Sequence, residues 1–228
     1  MSTRTIQVNF ETLKQRGASA ATVIKLMMAC NDLSVVNQAL GEWKDRESKG
    51  DKTIRPGGGM YFVRAEIAHL FEALTIIEQI KEDATLMAIV QSCDTQTRTS
   101  FGNLLPYLKG GARHKEFQQL IGEVRNTLTF HYDASGKRTE RAIKDRASRS
   151  DARWTSVTRG SDARRWHFRV ADDIVESIVV RQIWKVAPAT DAMVGADEAL
   201  TRVHAIFLMF VDFAGDFIWT YCKRLPTL

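Results

Sequence analysis

Cysteine is scarce and scattered. Cys30, Cys93 and Cys222 are odd in number, far apart and without CxxC spacing, which excludes a disulfide framework and a zinc ribbon as organising features. Such usage suits a reducing compartment, and the opening MSTRTIQVNFETLKQRG has no apolar stretch of the kind a secretory signal carries. A cytoplasmic protein is expected. A long apolar run free of charge is also missing. The nearest, Ala199 to Cys222, holds Asp212 and Asp216, which are costly at a bilayer centre and leave less than the ~20 apolar residues a span needs. That segment reads as a buried core helix, and no membrane partner is expected. His114, His167 and His204 make no metal spacing such as HExxH, there is no GxSxG elbow, and no cysteine has a histidine nearby. Neither a metal site nor a cofactor is expected. The run Pro56 to Gly59 lacks the lysine and the preceding strand of a phosphate loop, so it reads as a linker.

What is present is helical periodicity. The chain has 228 residues, 44% of them apolar, enough for one sizeable core, and a single domain over residues 1–228 is expected. Val23, Leu26, Met27, Leu33, Val36 and Leu40 can line one face of a helix over Ala18 to Trp43, continuous or broken near Asn31. Periodicity is lost over 44–59, which predicts a loop. It resumes at Met60 to Lys81, at Ala84 to Cys93 and at Lys115 to Phe130, then again at Ala171 to Val186 and Ala196 to Lys223. Asp94 to Gly111 reads as mixed, with a break around Pro106 and Gly110. Without strand signals between these segments, the expected class is all-α: a helical bundle carrying a long, basic, partly irregular insertion near 133–170.

That insertion holds the charge. From Asp133 to Arg165 there are ten Lys or Arg and five Asp or Glu, so the net charge of +5 carried by the whole chain resides there. A patch of this kind attracts phosphate backbones, or else serves as a solvated loop. Within it, Lys137, Arg138, Arg141, Arg164 and Arg165 are candidate phosphate contacts. Trp154 and Trp166 either stack on bases, as aromatics among arginines do in single-strand binders, or anchor the segment to the helices. A short helix at Lys137 to Arg149 and a short hairpin beyond it are compatible with the pattern.

The stretch GEVRNTLTFHYDASG, Gly122 to Gly136, crowds Arg125, Asn126, His131 and Tyr132 into the end of a helix. In a straight helix Arg125 and His131 would stand about 120° apart and about 9 Å apart along the axis. They converge only if the helix distorts or ends near Phe130, and the turn formers of DASG follow at once.

The sequence VRNTLTFHYD resembles the signature of the HEPN superfamily: an arginine, a polar residue directly after it and a histidine four to six residues on, borne by a late helix of a small helical bundle. Arg125, Asn126 and His131 match it residue by residue. The resemblance implies a metal-independent endoribonuclease acting as a homodimer, in which two motifs face each other across a cleft. Bacterial defence, toxin and stress-response roles are frequent in that family, and an antitoxin or regulatory subunit is a partner class it implies. Toxin members carry tyrosine two residues after the histidine, whereas here Tyr132 follows immediately. The residue types suit the chemistry, because RNA is cut when a base takes the 2′-hydroxyl proton, an acid protonates the departing 5′-oxygen and a fixed cation stabilises the phosphorane. Histidine exchanges protons near neutrality, arginine forks onto phosphate oxygens, and Asn126 can hold a phosphate. Tyr132 could stack on a base or donate to a phosphate.

A second arginine and histidine at motif spacing, Arg64 and His69, lie mid-helix with Ala65 in the polar position and no turn after them. They read as a chance match whose histidine is satisfied within the fold. Two further functions remain open for the chain: a noncatalytic RNA-binding protein using the basic segment, and a helical scaffold or regulatory subunit. An exposed apolar face on the motif helix would favour the dimer.

Overall fold

The computed structural model describes residues 5–51, 54, 57–129, 132–149, 154–159, 161, 167–187 and 192–225, with 192–194 given by backbone alone. Among them the protein is all-α, save for one ladder of two residues per strand. The helices are α1 (Phe10–Gln15), α2 (Gly17–Ser48), α3 (Gly59–Glu82), α4 (Ala84–Ser92), α5 (Thr95–Leu104), α6 (His114–Phe117), α7 (Lys137–Ser148), α8 (Arg169–Glu176) and α9 (Ala192–Lys223). Two of them continue as π-helix: α6 through Gln118–Gly122 and Arg125–Thr129, and α8 through Ser177–Ile183. The ladder is the hairpin of the basic segment, where β1 (Val157–Thr158) pairs antiparallel with β2 (His167–Phe168).

Of the two readings left open for α2, continuous or broken near Asn31, the structure has the continuous helix, and the loop expected at 44–59 is corrected, because α2 extends to Ser48 and α3 begins at Gly59. The charged stretch after Trp43 has lost its apolar stripe but not its helix propensity. Glu, Lys and Arg are good helix formers, and Gln38 with Glu42 (2.8 Å) and Lys49 with Asp45 (2.7 Å) bridge successive turns. The helix stops where Gly50 adopts φ +67° and the Asp51 N–H reaches back to the Arg46 carbonyl (3.1 Å), a glycine-closed helix end. α1 was not legible from periodicity; it is a short helix started by Asn9, whose side chain accepts the Glu11 N–H.

Length suggested one domain, and the chain forms two compact units built from segments distant in sequence. Unit 1 comprises Met1–Leu33, His69–Glu116 and His204–Leu228. Its core draws Leu26 and Leu33 from α2, Leu70, Leu74, Ile77 and Ile80 from α3, Leu86 from α4, and Leu104 from α5. Phe210, Phe213 and Phe217 of α9 are fully buried at i, i+3, i+7 spacing, and Phe213 packs on Phe101 and Phe217 with ring centroids 5.0 Å apart. By length and composition α2 and residues 195–223 of α9 could cross a membrane; in unit 1 the phenylalanine stripe of α9 is core, and Asp212 and Asp216 point to solvent. Asp83 caps α4 through the Thr85 and Leu86 N–H groups and also accepts the Ser19 hydroxyl. His69 of the second arginine–histidine pair lies 3.6 Å from the carboxylate of Asp32.

Unit 2 comprises Ser34–Ala68 and Phe117–Val203. Its core joins Val63 and Ile67 of α3 to Leu120, Ile121, Val124 and Leu128 of the α6 extension and to Ile178, Val179, Val180 and Ile183 of the α8 extension. All three cysteine thiols are held protonated by burial, which pushes Cys30 up to about 11 and raises Cys93 and Cys222, so no activated thiol is among them.

Phe213→Ala should lower the unfolding free energy by about 3–5 kcal/mol, the range for emptying a buried phenylalanine site. Urea unfolding of both proteins measures it, and a loss under about 1 kcal/mol would show that this stack is not core.

Candidate functional site

The motif helix in unit 2 is not a straight α-helix. Its hydrogen bonding widens to i→i+5 over Gln118–Gly122 and again over Arg125–Thr129, and such widening recurs at functional sites. Two side-chain donors from elsewhere in the unit serve carbonyls of this stretch: the Trp184 indole N–H donates to Leu120 (3.0 Å), and the Arg64 guanidinium donates to Leu128 (2.8 Å). The helix then ends in a reversal. Tyr132 and Asp133 both take left-handed backbone, φ +47° and +54°, and the Asp133 N–H donates to the Thr127 carbonyl (2.7 Å). A tyrosine at positive φ is held there by its surroundings at a cost, a condition that concentrates at functional positions.

On this helix end the half-buried Arg125 donates through Nη1 to Oδ1 of the exposed Asn126 (3.1 Å). The two motif residues are thereby brought together at the surface. Tyr132 is 76% exposed, free to present its ring. His131 lies outside the described residues, between Thr129 and the reversal at Tyr132. The large apolar side chains of the helix, Phe117, Leu120, Ile121, Val124 and Leu128, are all buried within unit 2. The exposed apolar face that would favour a dimer is therefore absent among its described residues, and pairing of two copies through this helix would rest on polar groups.

Asp133 locks the reversal to the basic segment. Its carboxylate accepts the Thr139 N–H (2.8 Å) and the Ser135 hydroxyl (3.2 Å), capping α7 from three residues upstream of Gly136. Burial alone would raise its pKa, but these hydrogen bonds prevail and hold it below the usual carboxylate value. α7 docks by the buried Ala142, and Gln182 donates to the Arg138 carbonyl (2.9 Å).

Much of the basic charge is engaged inside unit 2. Arg138 lies 3.3 Å from Glu123, and Arg146 reaches Asp173 at 3.5 Å and Glu176 at 3.9 Å. Lys137 and Arg141 are exposed, and Trp154, 90% exposed, does not anchor the segment. Arg164, Arg165 and Trp166 lie outside the described residues.

Sequence reasoning missed Arg64. It sits half-buried in α3, its Nε has no hydrogen-bond partner among the described residues, and burial pulls its pKa down while Tyr132, Asp172 and Tyr61 pull it back up. An arginine set aside as a chance match thus belongs to the motif's surroundings, and no local spacing pointed there, because the two segments are 64 residues apart. The glycine run also has a packing reason. A Cβ on Gly57 would stand 3.0 Å from the Asp172 Cβ, so a bare backbone lets that loop approach α8. The hollow beside it, about 340 Å³, is lined by Glu47, Asp172, Asp173, Glu176 and Asp197 with Arg169 as its one cation among the described residues, and five acids repel phosphate. No group of three or more His, Cys, Asp or Glu among the described residues is placed to hold a metal ion.

No family profile matches the chain, and no curated protein or solved structure shows significant similarity to it.

Asp133→Asn, which keeps an acceptor oxygen and removes the charge, should cost about 1 kcal/mol at neutral pH, the difference between hydrogen bonds to a charged and to a neutral acceptor. Because the folded-state pKa of Asp133 is depressed, its contribution is present above the unfolded value, about 3.9, and is lost as pH falls through the folded one. Urea midpoints of wild type and variant should therefore converge on acidification below that value; a constant gap would contradict the cap. Arg64→Met, which keeps the stem and removes the donors, should cost about 1.5–3 kcal/mol, as for other hydrogen bonds to charged groups. It should also speed amide exchange at Thr127 and Asp133 selectively, and uniform exchange changes would refute a local role.

Proposed function

We propose that the protein is a metal-independent endoribonuclease of HEPN type, with Arg125, Asn126 and His131 as its catalytic residues. The observation that carries this reading is the side-by-side placement of the Arg125 guanidinium and the Asn126 amide, 3.1 Å apart, at a helix end that reverses directly after His131. In this scheme the 2′-oxygen of RNA attacks its own phosphorus after losing its proton to a base, and the 5′-oxygen leaves with a proton from an acid. A cyclic 2′,3′-phosphate and a 5′-hydroxyl are formed. His131 serves as base or acid, since imidazole exchanges protons near neutral pH. Arg125 holds the non-bridging oxygens as charge builds on the phosphorane, and Asn126 fixes the guanidinium through its Oδ1. Arg64 acts through the helix end and is a positioning residue.

RNA would contact the exposed Tyr132, Lys137, Arg141 and Trp154, which offer two ring surfaces and two exposed charges. A second histidine for the opposite proton transfer would come from a second copy, which makes the proposed enzyme a homodimer. A cytoplasmic setting, a role in bacterial defence, toxin action or stress response, and control by an antitoxin or regulatory subunit belong to the same proposal. A noncatalytic RNA-binding protein is the second reading, favoured by the 90% exposure of Trp154 in a basic segment.

Purified protein incubated with mixed RNA in EDTA should cleave it, and His131→Ala should lower the rate about 10²–10⁴-fold, the usual share of a general acid or base, with its circular dichroism unchanged. RNA bound equally by both proteins and cleaved by neither would favour the binding reading over the enzyme.

A further inference from the structure

Unit 1 contains a separate hollow of about 680 Å³, where the corner between α1 and α2, the face of α4 and the end of α9 converge. That volume lies within the ~300–1,000 Å³ of small-molecule sites. Its wall combines Arg16 and Arg224 with the apolar Ala88, Ile89 and Leu225. Gly17, at φ +55°, makes the corner that brings Arg16 there. Tyr221, only 3% exposed, also lines the hollow, and its hydroxyl has no hydrogen-bond partner among the described residues. Buried hydroxyls are nearly always paired, and leaving one open costs stability unless an incoming group completes it. Burial raises the pKa of this phenol, with Arg16 opposing it, so the group stays protonated and can donate. The neighbouring Asp83 is taken up by the Ser19 hydroxyl and the α4 N-terminus, and among the described residues that line the hollow the two guanidiniums are the charged groups.

We propose that this hollow binds a small organic anion, a carboxylate or phosphate monoester on an apolar body, with Arg16 and Arg224 on the anionic oxygens and the Tyr221 hydroxyl donating to one of them. Guanidinium forks match both head groups, and the aliphatic wall selects against a bare ion. The site is independent of the ribonuclease reading, and its test does not involve RNA.

Isothermal titration of the full chain with phenyl phosphate, benzoate and inorganic phosphate decides it. One of the organic probes should saturate the protein, the tighter of the two naming the head group, and inorganic phosphate should bind at least about tenfold more weakly. Arg16→Gln combined with Arg224→Gln should weaken the organic probe about tenfold or more. Tyr221→Phe should weaken it about three- to tenfold without lowering the melting temperature, because the hydroxyl removed has no partner in the folded chain. Failure of both organic probes to saturate below about 10 mM, equal binding of inorganic phosphate, or variants that bind like wild type would each overturn the proposal.

Discussion

A single half-buried guanidinium stands behind the end of the candidate site's helix. Arg64 of α3 donates to the carbonyl of Leu128, in the last turn before the chain reverses. A widened helix offers its carbonyls poorly aligned backbone donors, so its end needs a partner from outside the ladder. Arg64 supplies one and Trp184 supplies another a helical stretch earlier. Next to these two contacts stand the left-handed backbone of Tyr132 and Asp133 and the surface pair Arg125 and Asn126. The arginine is held at some cost, since burial opposes its charge, and the carbonyl dipole with nearby Asp172 offsets that cost.

The reversal itself is not a mark of catalysis. The α8 extension ends the same way: Lys185 takes φ +59°, and the Val186 N–H donates to the Val180 carbonyl six residues back (3.0 Å). Unit 2 thus uses one closing device twice, at two π-helical stretches whose apolar sides share its core. Chemistry separates the two ends. At the first stand an arginine, an asparagine and a histidine within seven residues, followed by an exposed tyrosine; at the second stand apolar residues, Arg181 and Gln182. Residue type on a common backbone feature, and not the backbone feature alone, is what distinguishes the two ends.

The helical class was legible because 3.6-residue spacing marks the buried stripes of the long helices, and the Asp-Ala-Ser-Gly turn marked where the motif helix stops. Where burial ceases, periodicity falls silent even though helix persists, which is why residues 44–48 read as loop. The π-widening left no trace in the local sequence, and the side chains that serve its carbonyls lie 64 residues away in each direction, Trp184 to Leu120 and Arg64 to Leu128. For the same reason Arg64 passed for a chance match: its spacing to His69 is accidental, and its partner is a carbonyl that no motif encodes. The charge count of the basic segment overstated what a ligand would meet, since Arg138 and Arg146 are engaged by acids of the same unit.

The central claim is that the Arg125, Asn126 and His131 helix end cuts RNA by attack of its own 2′-oxygen without a metal. Mass spectrometry of the ends of RNA fragments formed in EDTA tests it most directly. The account predicts 2′,3′-cyclic phosphates and 5′-hydroxyls from wild-type protein, absent when Arg125→Ala is used instead. Fragments bearing 5′-phosphates, or the same ends in equal yield from the Arg125 variant, would contradict it.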